Sequence, residues 1–137
     1  MFKVNNSIIF ITFITAVSTI LGLIVNVYSY VSHDVSEPLS ALLYIFGLFA
    51  SVSLFRGNGL GGNGLGQNLV KIFWLCQTFV VGWSGTKLGF SFALAISLHF
   101  NITPESYVVI NLIGVIMAVL CFLKLNKSEV KAQAVRA

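Results

Sequence analysis

Acidic residues are almost missing from this chain: Asp and Glu together number 4 in 137 residues, and none falls inside a long apolar run. General acid-base chemistry needs positioned ionisable groups, and proton-coupled transport uses carboxylates within the membrane. The sequence supplies neither arrangement. Cysteine is as scarce, with Cys76 and Cys121 the 2 present. They form no C-x-x-C pair, so a thiol-disulfide relay is disfavoured and both read as small polarizable packing residues. With 2 prolines there is no proline-rich linker. No convergent acid, base and nucleophile set appears, nor any metal-ligand spacing, so no catalytic residue, no cofactor and no metal site is assigned.

Apolar side chains are what the chain has in quantity. Hydrophobic residues make up 57% and charged residues 9%, with a mean hydropathy of +0.94, which excludes an ordinary soluble protein. Four apolar stretches stand out, at Ile8 to Val31, Leu39 to Phe55, Leu69 to Leu98 and Tyr107 to Leu123. A spanning helix needs ~20 predominantly apolar residues. The expected fold is therefore an all-α integral membrane protein, a four-transmembrane-helix bundle forming a single membrane domain. Its connections include a Gly-rich loop over 56–68 and a basic tail over 124–137.

Charge sets the expected orientation. Of the 8 basic residues, Lys3, Arg56, Lys71, Lys124, Lys127, Lys131 and Arg136 lie at the N-terminus, around the second loop and in the tail. The first and third loops carry Asp34, Glu37 and Glu105 and no base. Basic residues are kept on the cytoplasmic side of short loops, so both termini are expected inside, in a multi-pass plasma-membrane protein of the bacterial inner-membrane kind. Tyr28, Tyr30 and Tyr107 at outer ends and Trp74 at an inner one suit interfacial belts. The positive balance is this orientation signal, and no nucleic acid is expected as partner.

The Gly-rich loop repeats GNGLG at Gly57 to Gly61 and Gly62 to Gly66, a flexible tether by composition. It lacks the Lys-Ser/Thr ending of a phosphate loop. Small or polar residues recur at helical spacing in every stretch: Thr12, Thr15, Thr19, Gly22, Asn26 and Ser29 in the first, Ser40, Tyr44, Gly47 and Ser51 in the second, and Asn111, Gly114, Ala118 and Cys121 in the last. In the third, Gly82, Gly85 and Gly89 would share one face. Such stripes mark close helix contacts in lipid. The alternative is a polar path lined by Thr12, Thr15, Thr19, Asn26 and Asn111. Thirty residues as one helix would measure ~45 Å against a ~30 Å core, so the third segment is expected to tilt, start late or break at a glycine.

Lys87 is the one charge within an apolar segment. As a helical residue it points away from the three glycines and shares a face with Ser84 and Ser91. Two readings stand. It binds a counter-charge, drawn from Asp34, Glu37 or Glu105, a bound anion or another subunit, or its stem snorkels to the outer interface. A second cluster, His33, Asp34, Glu37, His99 and Glu105, falls beside the outer loops; imidazoles with carboxylates can bind a divalent metal or sense pH, but without metal-ligand spacing they read as solvated loop residues.

Two functional classes survive. One is a non-catalytic accessory, assembly or immunity-type subunit that docks against a second copy of the chain or a larger membrane protein within the lipid bilayer. The other is a small oligomeric transporter or channel using Lys87 for an anionic solute or charge selectivity.

Overall fold

The computed structural model describes residues 6–33, 37–57, 64–90, 92 and 94–136, with side chains to 125 in the last helix. Asp34, Ser91 and the centre of the GNGLG repeat, 58–63, lie outside the described residues, as do Lys3 and the side chains of the basic tail beyond Leu125. Helices α1 (Asn6–His33), α2 (Pro38–Gly57) and α3 (Leu65–Cys76) are followed by strands β1 (Phe79–Trp83), β2 (Thr86–Leu88), β3 (Ser97–Thr103) and β4 (Ser106–Asn111), then by helix α4 (Leu112–Arg136).

This corrects the all-α reading. Among the described residues two helices, α1 and α2, are long and apolar enough to cross a membrane, and the chain is not a four-transmembrane-helix bundle. The expected third helix over 69–98 is instead a short helix, a β-hairpin and the start of β3, while the expected fourth begins as a strand. The physical reason lies in the side chains. After Gln77 comes Thr-Phe-Val-Val-Gly-Trp, and β-branched and aromatic residues suit a pleated surface. The two-residue Ser84-Gly85 loop then turns the chain, with φ of 45° and 80°. Positive φ at both central positions is the primed turn that matches strand twist.

The four strands form an antiparallel sheet in the order β2-β1-β4-β3. Val81 pairs with Leu88 on β2 and with Val108 on β4; Phe100 pairs with the same Val108 from β3. A shift between Asn101 and Thr103 puts a bulge near the end of β3, and Pro104-Glu105 turns the chain into β4.

The glycine contact expected on the third helix is also corrected, because those residues are not helical. Gly82 lies in β1 under the Tyr107 ring, where a Cβ would collide. Gly85 and Gly89 have φ of 80° and 134°. Elsewhere small residues do bring helices together. Gly22 lies against the Tyr44 ring, Gly47 against Thr19 and Phe73, and Gly66 against the Ser53–Leu54 backbone. A core of Ile8, Ile11, Leu43, Tyr44, Leu54, Val70, Phe73, Trp74, Met117 and Cys121 unites the four helices. Trp74, expected at an interface, is wholly buried there.

Strand β4 passes into α4 with no intervening residue. Asn111 makes the joint. Its Oδ1 accepts from Ile113 N at 3.1 Å, the bond of a helix N-cap, while its Nδ2 donates to the Leu94 carbonyl at 2.9 Å. It is completely buried and sits on a strand, not on the helix face read from its spacing.

Candidate functional site

At the sheet end of the molecule, Lys87 is not an embedded helical charge. It stands on β2 opposite Gly82, and its Nζ lies 2.9 Å from Glu37 Oε1, with the two side chains 36% and 37% exposed. Glu37 closes the turn between α1 and α2, and Pro38 behind it occupies the first helical position, where its missing N–H costs nothing. The second oxygen, Oε2, accepts from Ser40 Oγ at 2.9 Å. The Glu37 carbonyl accepts from Ala41 N at 3.0 Å and from Asn26 Nδ2 at 3.2 Å. One residue thus ties α1, α2 and β2 together.

Below the ion pair is a small cavity of about 90 Å³ lined by Gly22, Asn26, Ser29, Glu37, Tyr44 and Phe92, among others. Such a space holds a few waters or a small polar solute. The Tyr44 hydroxyl, at its floor, is hydrogen-bonded with Gln77. Deeper still, Thr15 Oγ1 donates to the Ile11 carbonyl at 2.7 Å and accepts from Trp74 Nε1 at 2.9 Å. Thr19 Oγ1 donates to the Ala16 carbonyl at 2.8 Å. Thr12 and Ser18 hydroxyls are buried without a hydrogen-bond partner among the described residues. The hydroxyl stripe of α1 therefore faces the interior over several turns, with Thr15 and Thr19 satisfied by carbonyls of their own helix.

The outer cluster of histidines and carboxylates is not one site. His33 ends α1 with its ring edge-on to Tyr28 at 6.4 Å. His99 stands on the exposed strand β3 beside Ser97, 3.4 Å from its Oγ. Glu105 belongs to the β3–β4 turn, where its Oε2 accepts from Ser84 Oγ at 3.2 Å and its carbonyl from Ser84 N at 2.8 Å. Ser84 therefore fastens two turns and does not accompany Lys87. No group of three or more His, Cys, Asp or Glu converges among the described residues. The free thiols are apart in setting, Cys121 buried and Cys76 half-buried.

The sheet itself is the feature that sequence reasoning missed. Strand alternation and the observed register put Phe79, Val81, Trp83, Leu88, Leu98, Phe100, Val108 and Ile110 on one face, with Thr86 and Ser106 at its turn end. Phe79 is 55% exposed, Trp83 70% and Leu88 72%. The opposite face is buried at Val80, Gly82, Val109 and Asn111 and exposed at Lys87, Ser97, His99, Asn101 and Tyr107. Phe92, which lines the cavity, and Gln77, bonded to Tyr44, were likewise missed, and no local pattern marks either.

No protein-family model, curated protein or solved structure matches the chain.

Proposed function

We propose that this chain is a multi-pass plasma-membrane protein, held by α1 and α2, that works as a non-catalytic accessory or assembly subunit by docking a protein partner. The observation that carries the reading is the outward apolar face of the sheet. In water an apolar patch of this breadth, with three aromatic rings and several aliphatic chains, is the signature of an interaction surface. At membrane depth an open sheet is not an alternative resting place, because its unpaired edge N–H and C=O groups cost several kcal/mol each in hydrocarbon. Either setting calls for protein against the sheet. Opposed basic and acidic ends support an orientation with the sheet outside: Arg56 lies in the last turn of α2 and the second half of α4 carries Lys124, Lys127, Lys131 and Arg136, while Glu37 and Glu105 belong to the sheet end.

The test is site-specific photocrosslinking in the source cells from a photoreactive residue at Trp83 or Leu88. Discrete protein adducts are expected at both, with none from Phe13 on the exposed side of α1. Adducts to lipid alone would sink the docking reading.

The cavity under Glu37 favours a second reading, a small-solute conductor. Here Lys87 does not offer a net positive site, since Glu37 compensates it, so the anion selectivity expected of a free lysine loses its basis. Purified protein in liposomes should then conduct a small cation or neutral polar solute, and Asn26→Leu should abolish that flux.

A further inference from the structure

We propose that β3 is a self-pairing edge, which joins antiparallel to the β3 of a second copy and makes one eight-stranded sheet from two of four. The proposal rests on the docking reading and gives one side of that surface its partner.

The direction of each backbone group on β3 follows from one bond. The Ile96 carbonyl accepts from Leu112 N at 2.8 Å, and the neighbouring register pairs Ser97 with Asn111. In an antiparallel ladder this makes Ser97 and Asn111 a non-hydrogen-bonded pair. Leu98 and Phe100 therefore turn their N–H and C=O groups to β4, while Ser97, His99 and Asn101 turn theirs to the free edge. The other side of β4 gives the same parity, with Asn111 N donating to the Thr78 carbonyl at 2.7 Å.

This edge lacks the devices by which sheets prevent further pairing. Over Ser97–Thr103 there is no Lys, Arg, Asp, Glu or Pro, and all seven residues are exposed. The bulge lies beyond Asn101, so the run from Ser97 to Asn101 is regular. Natural edges are instead short, charged, proline-bearing or covered. The opposite edge obeys that rule: β2 has 3 residues, and its Lys87 is tied to Glu37.

A second copy is the occupant that fits. A strand without charge offers no electrostatic handle for selecting a foreign strand, and nothing in it repels its own image. A two-fold axis at His99 sets Ser97 opposite the partner copy's Asn101 and His99 opposite its own equivalent. All three outward residues are then satisfied, with about six hydrogen bonds, two for each facing pair. On the apolar face Leu98 meets the Phe100 of the second copy, so the exposed row continues unbroken across the seam. The contact is isologous and closes at two copies.

Two full-length copies with different tags, one Leu98→Cys and one Phe100→Cys, should give a mixed disulfide on mild oxidation. Its yield should exceed that of either variant alone by about ten-fold, since only the mixed pair falls within the ~4.4–6.8 Å Cα separation that a disulfide spans. The wild type controls for Cys76 and Cys121. His99→Pro removes an N–H that faces the edge and leaves the β3–β4 ladder intact. It should keep the strand content by infrared spectroscopy while the protein's mass in detergent falls from two copies to one. A monomeric wild type, equal yields from all cysteine combinations, or a His99→Pro protein that stays dimeric would each overturn the seam. Protein adducts from Trp83 that persist in His99→Pro would leave the docking reading standing while the seam fails; loss of adducts with the mixed disulfide retained would do the reverse.

Discussion

The indole Nε1 of Trp74 donates to Thr15 Oγ1 at 2.9 Å, a buried bond between residues 59 apart in sequence. It fixes α3 against the middle of α1. Thr15 passes its own proton to the Ile11 carbonyl, so one hydroxyl is used as donor and acceptor. Thr15→Val keeps the shape and leaves a buried indole N–H with no acceptor, which costs about 1–3 kcal/mol. Thr19→Val loses only a bond to its own helix and should cost less. Thermal unfolding of both variants in detergent checks the order, and equal losses would show that the indole bond adds nothing.

Gly85 separates the hairpin from the helix expected there. Its φ is +80°, and a Cβ at that position meets nothing within 4 Å. In a helix interior, Gly85→Ala would stabilise by about 1 kcal/mol. In the hairpin it should destabilise by roughly 1 kcal/mol, because the left-handed conformation disfavours a Cβ, while Gly85→Asn stays close to wild type. A stabilised Ala variant would restore the helix.

The register gives a covalent check on the sheet. Val81 faces Val108 across β1 and β4, at a non-hydrogen-bonded position, where Cα atoms are about 4.5 Å apart. Val81→Cys with Val108→Cys should close a disulfide within one chain, seen as a faster-migrating band that reductant removes. Val80→Cys with Val108→Cys, on opposite faces, should not.

The ion pair between Lys87 and Glu37 has its side chains 36% and 37% exposed, which limits its energy. A double-mutant cycle with Lys87→Met and Glu37→Gln should return a coupling of about 0–1 kcal/mol, smaller in high salt. Glu37→Gln alone should lose more than Lys87→Met, because the carboxylate also accepts from Ser40. A coupling of several kcal/mol would mean a dry, buried pair instead.

The two long helices are legible in the sequence at almost their observed bounds, since continuous apolarity over Ile8 to Val31 and Leu39 to Phe55 has few other solutions. The sheet was hidden by the same signal. Val80, Val81, Val108, Val109 and Ile110 are apolar on both faces of their strands, which removes the alternation that marks a half-buried strand. Two local cues were nevertheless present: Ser84-Gly85 following the run Thr-Phe-Val-Val-Gly-Trp, and Leu98, Phe100 and Ile102 at period two. Gly82, Gly85 and Gly89 misled because a spacing of three and four reads as a helix face when the residues serve a ring contact and two turns. For Lys87 the sequence offers three carboxylates, Glu37 among them, beside a bound anion or another subunit as the counter-charge. The choice depends on the hairpin, and so does the outward apolar face. Trp74 with Thr15, and Gln77 with Tyr44, depend on tertiary packing that no local spacing encodes.

The absence of any loop between β4 and α4 gives the molecule a lever. Asn111 locks the strand's last residue to the first turn of a 25-residue helix, about 37 Å long at 1.5 Å per residue. A partner that tilts the sheet by a few degrees cannot do so without swinging that helix, and the swing grows with distance from the joint. The largest displacement arrives at the C-terminal end of the helix, where the sequence places Lys127, Lys131 and Arg136. Occupancy of the sheet is thereby convertible into movement of a cluster of positive charge at the opposite pole.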